Sequence, residues 1–217
     1  MTPGSATRVG VLLSGRGSNF LALQRAIERG EIPATIVLVA SNQPEAKGLE
    51  RARELGIETF ALSHRGLKRS EHERCLIEAL RAAGAEWVCL AGYMRKLSPT
   101  LVGEYAGRML NIHPSLLPAF PGLHAQEQAL EHGVRVAGCT VHLVDEGLDS
   151  GPIVVQRAVP VLDEDDGASL SARILEQEHL AYPEGLRRLL TETWTVEGRR
   201  VVFGPESAAP KGPLEDA

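Results

Sequence analysis

The sequence predicts an α/β fold: a doubly wound, mostly parallel sheet with an antiparallel C-terminal extension. Three observations carry this. Continuously apolar runs such as TIVLVAS (35–41) and EWVCLAG (86–92) mark strands buried on both faces, as in parallel sheets. Segments of helical period separate these runs, and right-handed crossovers would wind the helices onto both faces of the sheet. After residue 134, two strand-like runs follow each other with only a short Gly/Asp-rich loop between them, which predicts antiparallel pairing.

RVGVLLS (8–14) is the first strand and ends at a glycine turn, GRGSN. The helix behind it sets Phe20, Leu23, Ala26 and Ile27 on one face. TIVLVAS follows, then a helix around 45–55 and a short strand near 57–62. A helix over about 69–83 brings Leu76, Ile77 and Leu80 together, and EWVCLAG and RMLNIH (108–113) are the next strands. VAGCTVHLVDEG and GPIVVQRAVPV form the antiparallel pair. A long helix is expected at 166–190, kinked or divided by Pro183, which removes a helical N–H and crowds the preceding turn. TWTVEGRRVVF (193–203) reads as a hairpin around Glu197-Gly198. With no linker or repeat, residues 8–203 read as one domain, and 204–217, rich in Pro, Gly and Ala, as a loosely ordered tail.

A chain of 217 residues can bury a core without a disulfide or metal staple. Hydrophobic residues at 43% and charged residues at 24% exclude a disordered polymer or a fibre. A net charge of −5 without a basic cluster argues against a nucleic-acid partner. No apolar run approaches the ~20 residues of a membrane span, and no secretory signal opens the chain, so a cytoplasmic protein is expected. Cys75, Cys89 and Cys139 are an odd set with no metal-ligand spacing, and read as reduced thiols.

Ligands of such sheets bind at the carboxyl ends of the strands. The loop Gly15-Arg16-Gly17-Ser18-Asn19 lies there and has two readings. It is a tight turn with Ser18 or Asn19 capping the helix, or a cradle for a phosphate monoester beneath a positive helix end. A dinucleotide is disfavoured: the third glycine of its fingerprint falls on Phe20, and Ser41-Asn42 replace the acidic residue that holds a ribose.

In NIHPSLLPAFPGLH, Asn111 and His113 share one face of a strand, and Pro114, Pro118 and Pro121 stiffen the loop behind them. A histidine there can move a proton near neutral pH, and an asparagine amide can donate to a developing oxyanion. The plainer reading is a surface histidine with its polar atoms satisfied. In VHLVDEGLDSGPIV, Asp149 either forms the turn before Ser150-Gly151-Pro152 or pairs with His113, orienting the imidazole and favouring its protonated form. Ser115 lacks a nucleophile elbow, and the acids around Asp145 lack calcium-loop spacing. Glu178 sits four residues from both Ile174 and Tyr182, on an otherwise apolar helical stripe.

Taken together, SGRGSN, AGYMRKLSP, NIHPSLLPAFPGLHAQEQAL and VHLVDEGLDSGPIVVQ, in this order and spacing, closely resemble the phosphoribosylglycinamide formyltransferases over about residues 8–190. The resemblance implies the formyltransferase fold and a role in folate-dependent purine biosynthesis. It implies transfer of a formyl group from 10-formyltetrahydrofolate to the amine of glycinamide ribonucleotide, by direct attack and without an acyl-enzyme or a metal. By that likeness His113 is the general acid/base, Asn111 donates to the oxyanion of a tetrahedral intermediate, and Asp149 relays protons with His113. Gly17, Ser18 and Asn19 would hold the ribonucleotide phosphate, and Glu178 its ribose or glycinamide. Met94, Arg95, Lys96 and Leu97 would bind folate, through main-chain groups that read the pterin, with Asn111, Val144 and Asp145 in the same pocket and Arg69 near the glutamate tail. His124 and His142 match family histidines of structural or catalytic role.

The implied partners are small molecules, with no nucleic acid and no membrane, acting on a cytoplasmic monomer or homodimer. Within the superfamily, methionyl-tRNA formyltransferase adds a C-terminal domain and formyltetrahydrofolate hydrolase an N-terminal one, and neither is expected here. From another class, a non-catalytic binding module would have no use for an acid–base pair, so Asn111, His113 and Asp149 argue against it.

Overall fold

The computed structural model describes residues 6–204, which divide into two compact units, 6–110 and 111–204. The first holds β1 (Thr7–Leu13), α1 (Ser18–Glu28), β2 (Ala34–Ser41), α2 (Lys47–Glu54), β3 (Thr59–Ala61), α3 (Arg69–Ala82), β4 (Trp87–Leu90) and α4 (Pro99–Glu104). The chain leaves it along β5 (Met109–His113). The second unit holds α5 (Ala125–Glu131), β6 (Val136–Leu143), β7 (Ile153–Pro160), α6 (Gly167–Thr191), β8 (Trp194–Glu197) and β9 (Arg200–Phe203).

In the first unit the strands lie in the order β3-β2-β1-β4-β5, and β1 pairs in parallel with both β2 and β4. The order reverses at β1: the chain moves outward through β2 and β3, then returns to the other side of β1 for β4. The carboxyl ends of β1 and β4 are therefore the switch point at which doubly wound sheets bind ligands. The apolar runs behave as expected, since Val9, Val11, Leu12, Leu13, Val39, Val88 and Cys89 are all fully buried. Phe20, Leu23 and Ala26 bury one face of α1, and Leu76, Ile77 and Leu80 one face of α3. Two short helices go beyond the sequence reading. The Ser98 side chain caps α4 by accepting from the Leu101 N–H, with Pro99 in the first turn, and α5 starts after His124.

In the second unit the order is β5-β6-β7-β9-β8. β6 and β7 pair antiparallel from Val136↔Pro160 to His142↔Ile153, as do β8 and β9 in the expected hairpin. One parallel contact, Ile153↔Arg200, joins β7 to β9, so the extension is mostly but not wholly antiparallel. Pro183 does not divide the long helix, and α6 is a single element with the proline inside it. Ala181, Tyr182, Pro183 and Leu186 are buried there, and this packing outweighs the one lost N–H. The Leu117–Pro118 bond is cis. The expected tail lies outside the described residues apart from Gly204. No described helix is long and apolar enough to cross a membrane.

Phe20 is the largest side chain of the buried α1 face and has no exposed surface. Phe20→Ala should cost about 3–5 kcal/mol. Urea denaturation would show this as a lower midpoint at unchanged slope.

Candidate active site

The second unit brings Asn111, His113, His142 and Asp149 together. Asn111 and His113 lie two apart on β5, and His142 is the penultimate residue of β6. His142 Nδ1 lies 2.9 Å from the Leu143 carbonyl oxygen, which can only accept, so Nδ1 carries the proton. Its bare Nε2 then accepts from Asn111 Nδ2 at 3.0 Å, which orients the Asn111 amide. Burial holds His142 below the ordinary histidine range, against the opposing pull of the Leu143 carbonyl and Asp149, so the ring is kept neutral.

By the same reasoning His113 donates from Nε2 to the Phe120 carbonyl at 2.9 Å. Its Nδ1 faces Asp149 Oδ2 at 3.5 Å. That oxygen also accepts the Gly122 N–H at 2.8 Å, while Asp149 Oδ1 lies 3.8 Å from His142 Nε2. One carboxylate thus stands between two imidazoles. The turn that delivers it is tight. A Cβ on Gly151 would fall 1.9 Å from the Leu143 carbonyl oxygen, so only glycine fits after Ser150.

The loop around Phe120 is pinned from β6 and β7. Thr140 donates from its hydroxyl to the Ser115 carbonyl at 2.7 Å and accepts the Leu117 N–H at 3.0 Å. Gln156 Nε2 donates to the Leu117 carbonyl at 2.9 Å and to the Thr140 hydroxyl at 2.8 Å. Sequence reasoning missed this support and the roles of Phe120 and Gly122. A signal existed only for Thr140, which shares a β6 face with His142 at the two-residue period.

Asp145 accepts from the Gly147 N–H and the Ser150 hydroxyl, shaping its own loop, and Val144 directly follows β6. Glu178 is buried on α6, and its charge helps burial push the Cys139 thiol up to about 12. His124 lies at the start of α5, exposed, 3.6 Å from Glu127.

In the first unit, Gly17 takes the N-cap position of α1 at φ 75° and no side chain caps the helix. The reading of Ser18 or Asn19 as the cap is therefore corrected: α1 begins at Ser18 itself, and the left-handed turn falls on glycine. A Cβ there would come 2.9 Å from the Gly48 α-carbon, and the Gly48 N–H donates to the Gly15 carbonyl at 3.0 Å. An uncapped first turn suits an anion. Met94 to Leu97 follow β4, with Met94 and Lys96 exposed. Arg69 is the first residue of α3 and also exposed. Among the described residues, no group of three or more His, Cys, Asp or Glu is placed to hold a metal ion.

A profile described as formyl transferase matches residues 7–186. The chain is 45% identical over 190 residues to the phosphoribosylglycinamide formyltransferase of Escherichia coli strain K12, covering 87% of each. It is 50% identical over 189 residues, 86% of its length, to the trifunctional purine biosynthetic protein adenosine-3 of Drosophila melanogaster, of which it spans 14%. A crystal structure of glycinamide ribonucleotide transformylase 1 from Symbiobacterium toebii matches with a TM-score of 0.89 at 48% identity, covering 92% of this chain and 95% of that one.

The neutral His142 makes stability pH-dependent. Its folded value lies below the ordinary 6.5, so in acid the unfolded chain binds a proton that the folded one refuses. Stability should therefore fall as pH drops through about 6.5 and keep falling until the folded ring protonates. His72, also lowered by burial, adds in the same direction. In thermal melts across pH, His142→Gln should show a shallower acid-side decline than the parent. An equal slope would contradict this.

Proposed function

The chain belongs to the formyl transferase family, and on that premise we propose that it formylates the amine of 5-phosphoribosylglycinamide with 10-formyltetrahydrofolate, in de novo purine biosynthesis. The observation that carries this is the linked set Asn111–His142 and His113–Asp149. It combines an oriented amide donor with an imidazole–carboxylate pair, as transfer through a tetrahedral intermediate requires.

The amine nitrogen attacks the formyl carbon, the new C–N bond forms, and the carbonyl π pair moves onto oxygen. One Asn111 Nδ2–H bond is committed to His142, and the second donates to this oxyanion, an interaction typically worth ~3 kcal/mol. The proton that the amine gives up is accepted at the His113 Nδ1–Asp149 pair. It is returned to N10 as the C–N10 bond breaks and tetrahydrofolate leaves. Phe120 and Gly122 keep ring and carboxylate in register for both transfers, and such acid–base work contributes roughly 10²–10⁴-fold.

The uncapped α1 terminus supports Gly17, Ser18 and Asn19 as the phosphate site, and the buried carboxylate of Glu178 suits the sugar or the amine. Met94, Arg95, Lys96, Leu97, Val144, Asp145 and Asn111 are assigned to the folate, with Arg69 at its glutamate tail. The same reading takes residues 8–203 as one formyltransferase domain, cytoplasmic, working as a monomer or homodimer on small molecules alone.

A spectrophotometric assay with 10-formyl-5,8-dideazafolate, with and without the ribonucleotide, tests the reaction. Deformylation that requires the ribonucleotide is expected; deformylation without it means a hydrolase, and none at all overturns the reading. His113→Ala should lower kcat by at least ~10² while both substrates still bind. Unchanged turnover would remove His113 from the chemistry.

A further inference from the structure

Ser14, the first residue after β1, is bonded to the segment that follows β4. Its N–H donates to the Gly92 carbonyl at 3.0 Å, and its hydroxyl accepts the Met94 N–H at 2.8 Å. The hydroxyl proton goes to Asn42 Oδ1 at 2.5 Å. Asn42 is itself buried at the end of β2, with Nδ2 3.2 Å from His64 Nδ1. Both hydrogen-bonding roles of this one hydroxyl are thus engaged, and its direction is set by a buried amide. At the far end of the segment, buried Glu73 accepts the Ser98 N–H through Oε1 at 3.1 Å. Residues 94–97 therefore carry no regular secondary structure yet are held at both ends.

We propose that Ser14 is a positioning residue for the formyl donor: its hydroxyl fixes the main chain at Met94 so that residues 94–97 present their peptide groups to the folate. This rests on the reading of 94–97 as the folate segment. The glycine loop next to Ser14 has anchors that do not use the hydroxyl, namely Gly48 N–H to the Gly15 carbonyl and Leu21 N–H to the Gly17 carbonyl, both 3.0 Å. Loss of the hydroxyl should therefore act on one substrate and spare the other.

Ser14→Ala leaves the Met94 N–H and Asn42 Oδ1 without this partner, so KM for 10-formyl-5,8-dideazafolate should rise roughly 3–10-fold, the scale of one neutral hydrogen bond. KM for the ribonucleotide and kcat should stay within about 2-fold, hydrogen exchange of the Met94 amide should quicken, and Ser14→Thr should restore both. An unchanged KM for the formyl donor overturns the proposal. So does a parallel change in both KM values and kcat with a lowered Tm, since that is the mark of a general structural role. A parent protein that does not bind the folate analogue at all overturns instead the folate reading on which this rests.

Discussion

Asp149 adopts a left-handed φ of 49°, a backbone state that costs a residue other than glycine roughly 1–3 kcal/mol. What that conformation achieves is a carboxylate facing two rings at once, His113 Nδ1 with Oδ2 and His142 Nε2 with Oδ1. Three neighbouring features support this placement. Gly151 lets the turn fold back against Leu143, Gly122 donates to the carboxylate, and Phe120 holds the opposite nitrogen of His113. Because each ring has one nitrogen bound to a carbonyl that can only accept, the proton positions follow from the hydrogen bonds. His142 is a fixed acceptor for Asn111. His113 has Nε2 committed to the Phe120 carbonyl, which leaves Nδ1 facing the acid.

The first unit solves a different problem. Its sheet offers a switch point between β1 and β4, and the loops beyond those strands have no regular structure of their own to give them shape. Shape is supplied by close backbone approach in one case, Gly17 against Gly48, and by side-chain pins in the other, Ser14 and Glu73 on the residues around 94–97. At α1 the left-handed turn falls on Gly17 and no side chain caps the helix, whereas Met94 and Ser98 are bonded by side chains.

Much of this was legible in the sequence. TIVLVAS and EWVCLAG revealed buried strands because nothing in them alternates, and Asn111 and His113 could be set on one face because strand period is two. α4 and α5, of six and seven residues, are too short to show a helical period, although Ser98-Pro99 is a recognisable start. Of the two outcomes expected at Pro183, division of the helix does not occur, because the cost of the proline is local while the burial that holds α6 together is tertiary. The partners of His113 and Asp149 at Phe120 and Gly122 are main-chain groups, which carry no residue type and so leave no trace in a sequence. The link from Ser14 is hidden in the same way, since its partner at Met94 is a main-chain N–H.

The role given to Asp149 depends on its charge as well as its shape, and asparagine separates the two. Steady-state kinetics of Asp149→Asn, with both substrates saturating, should show kcat reduced by roughly 10²–10⁴ while ribonucleotide affinity changes less than about 3-fold. A kcat within about 3-fold of the parent would show that the carboxylate does no more than shape its loop, and would contradict the proton transfer assigned to the His113–Asp149 pair.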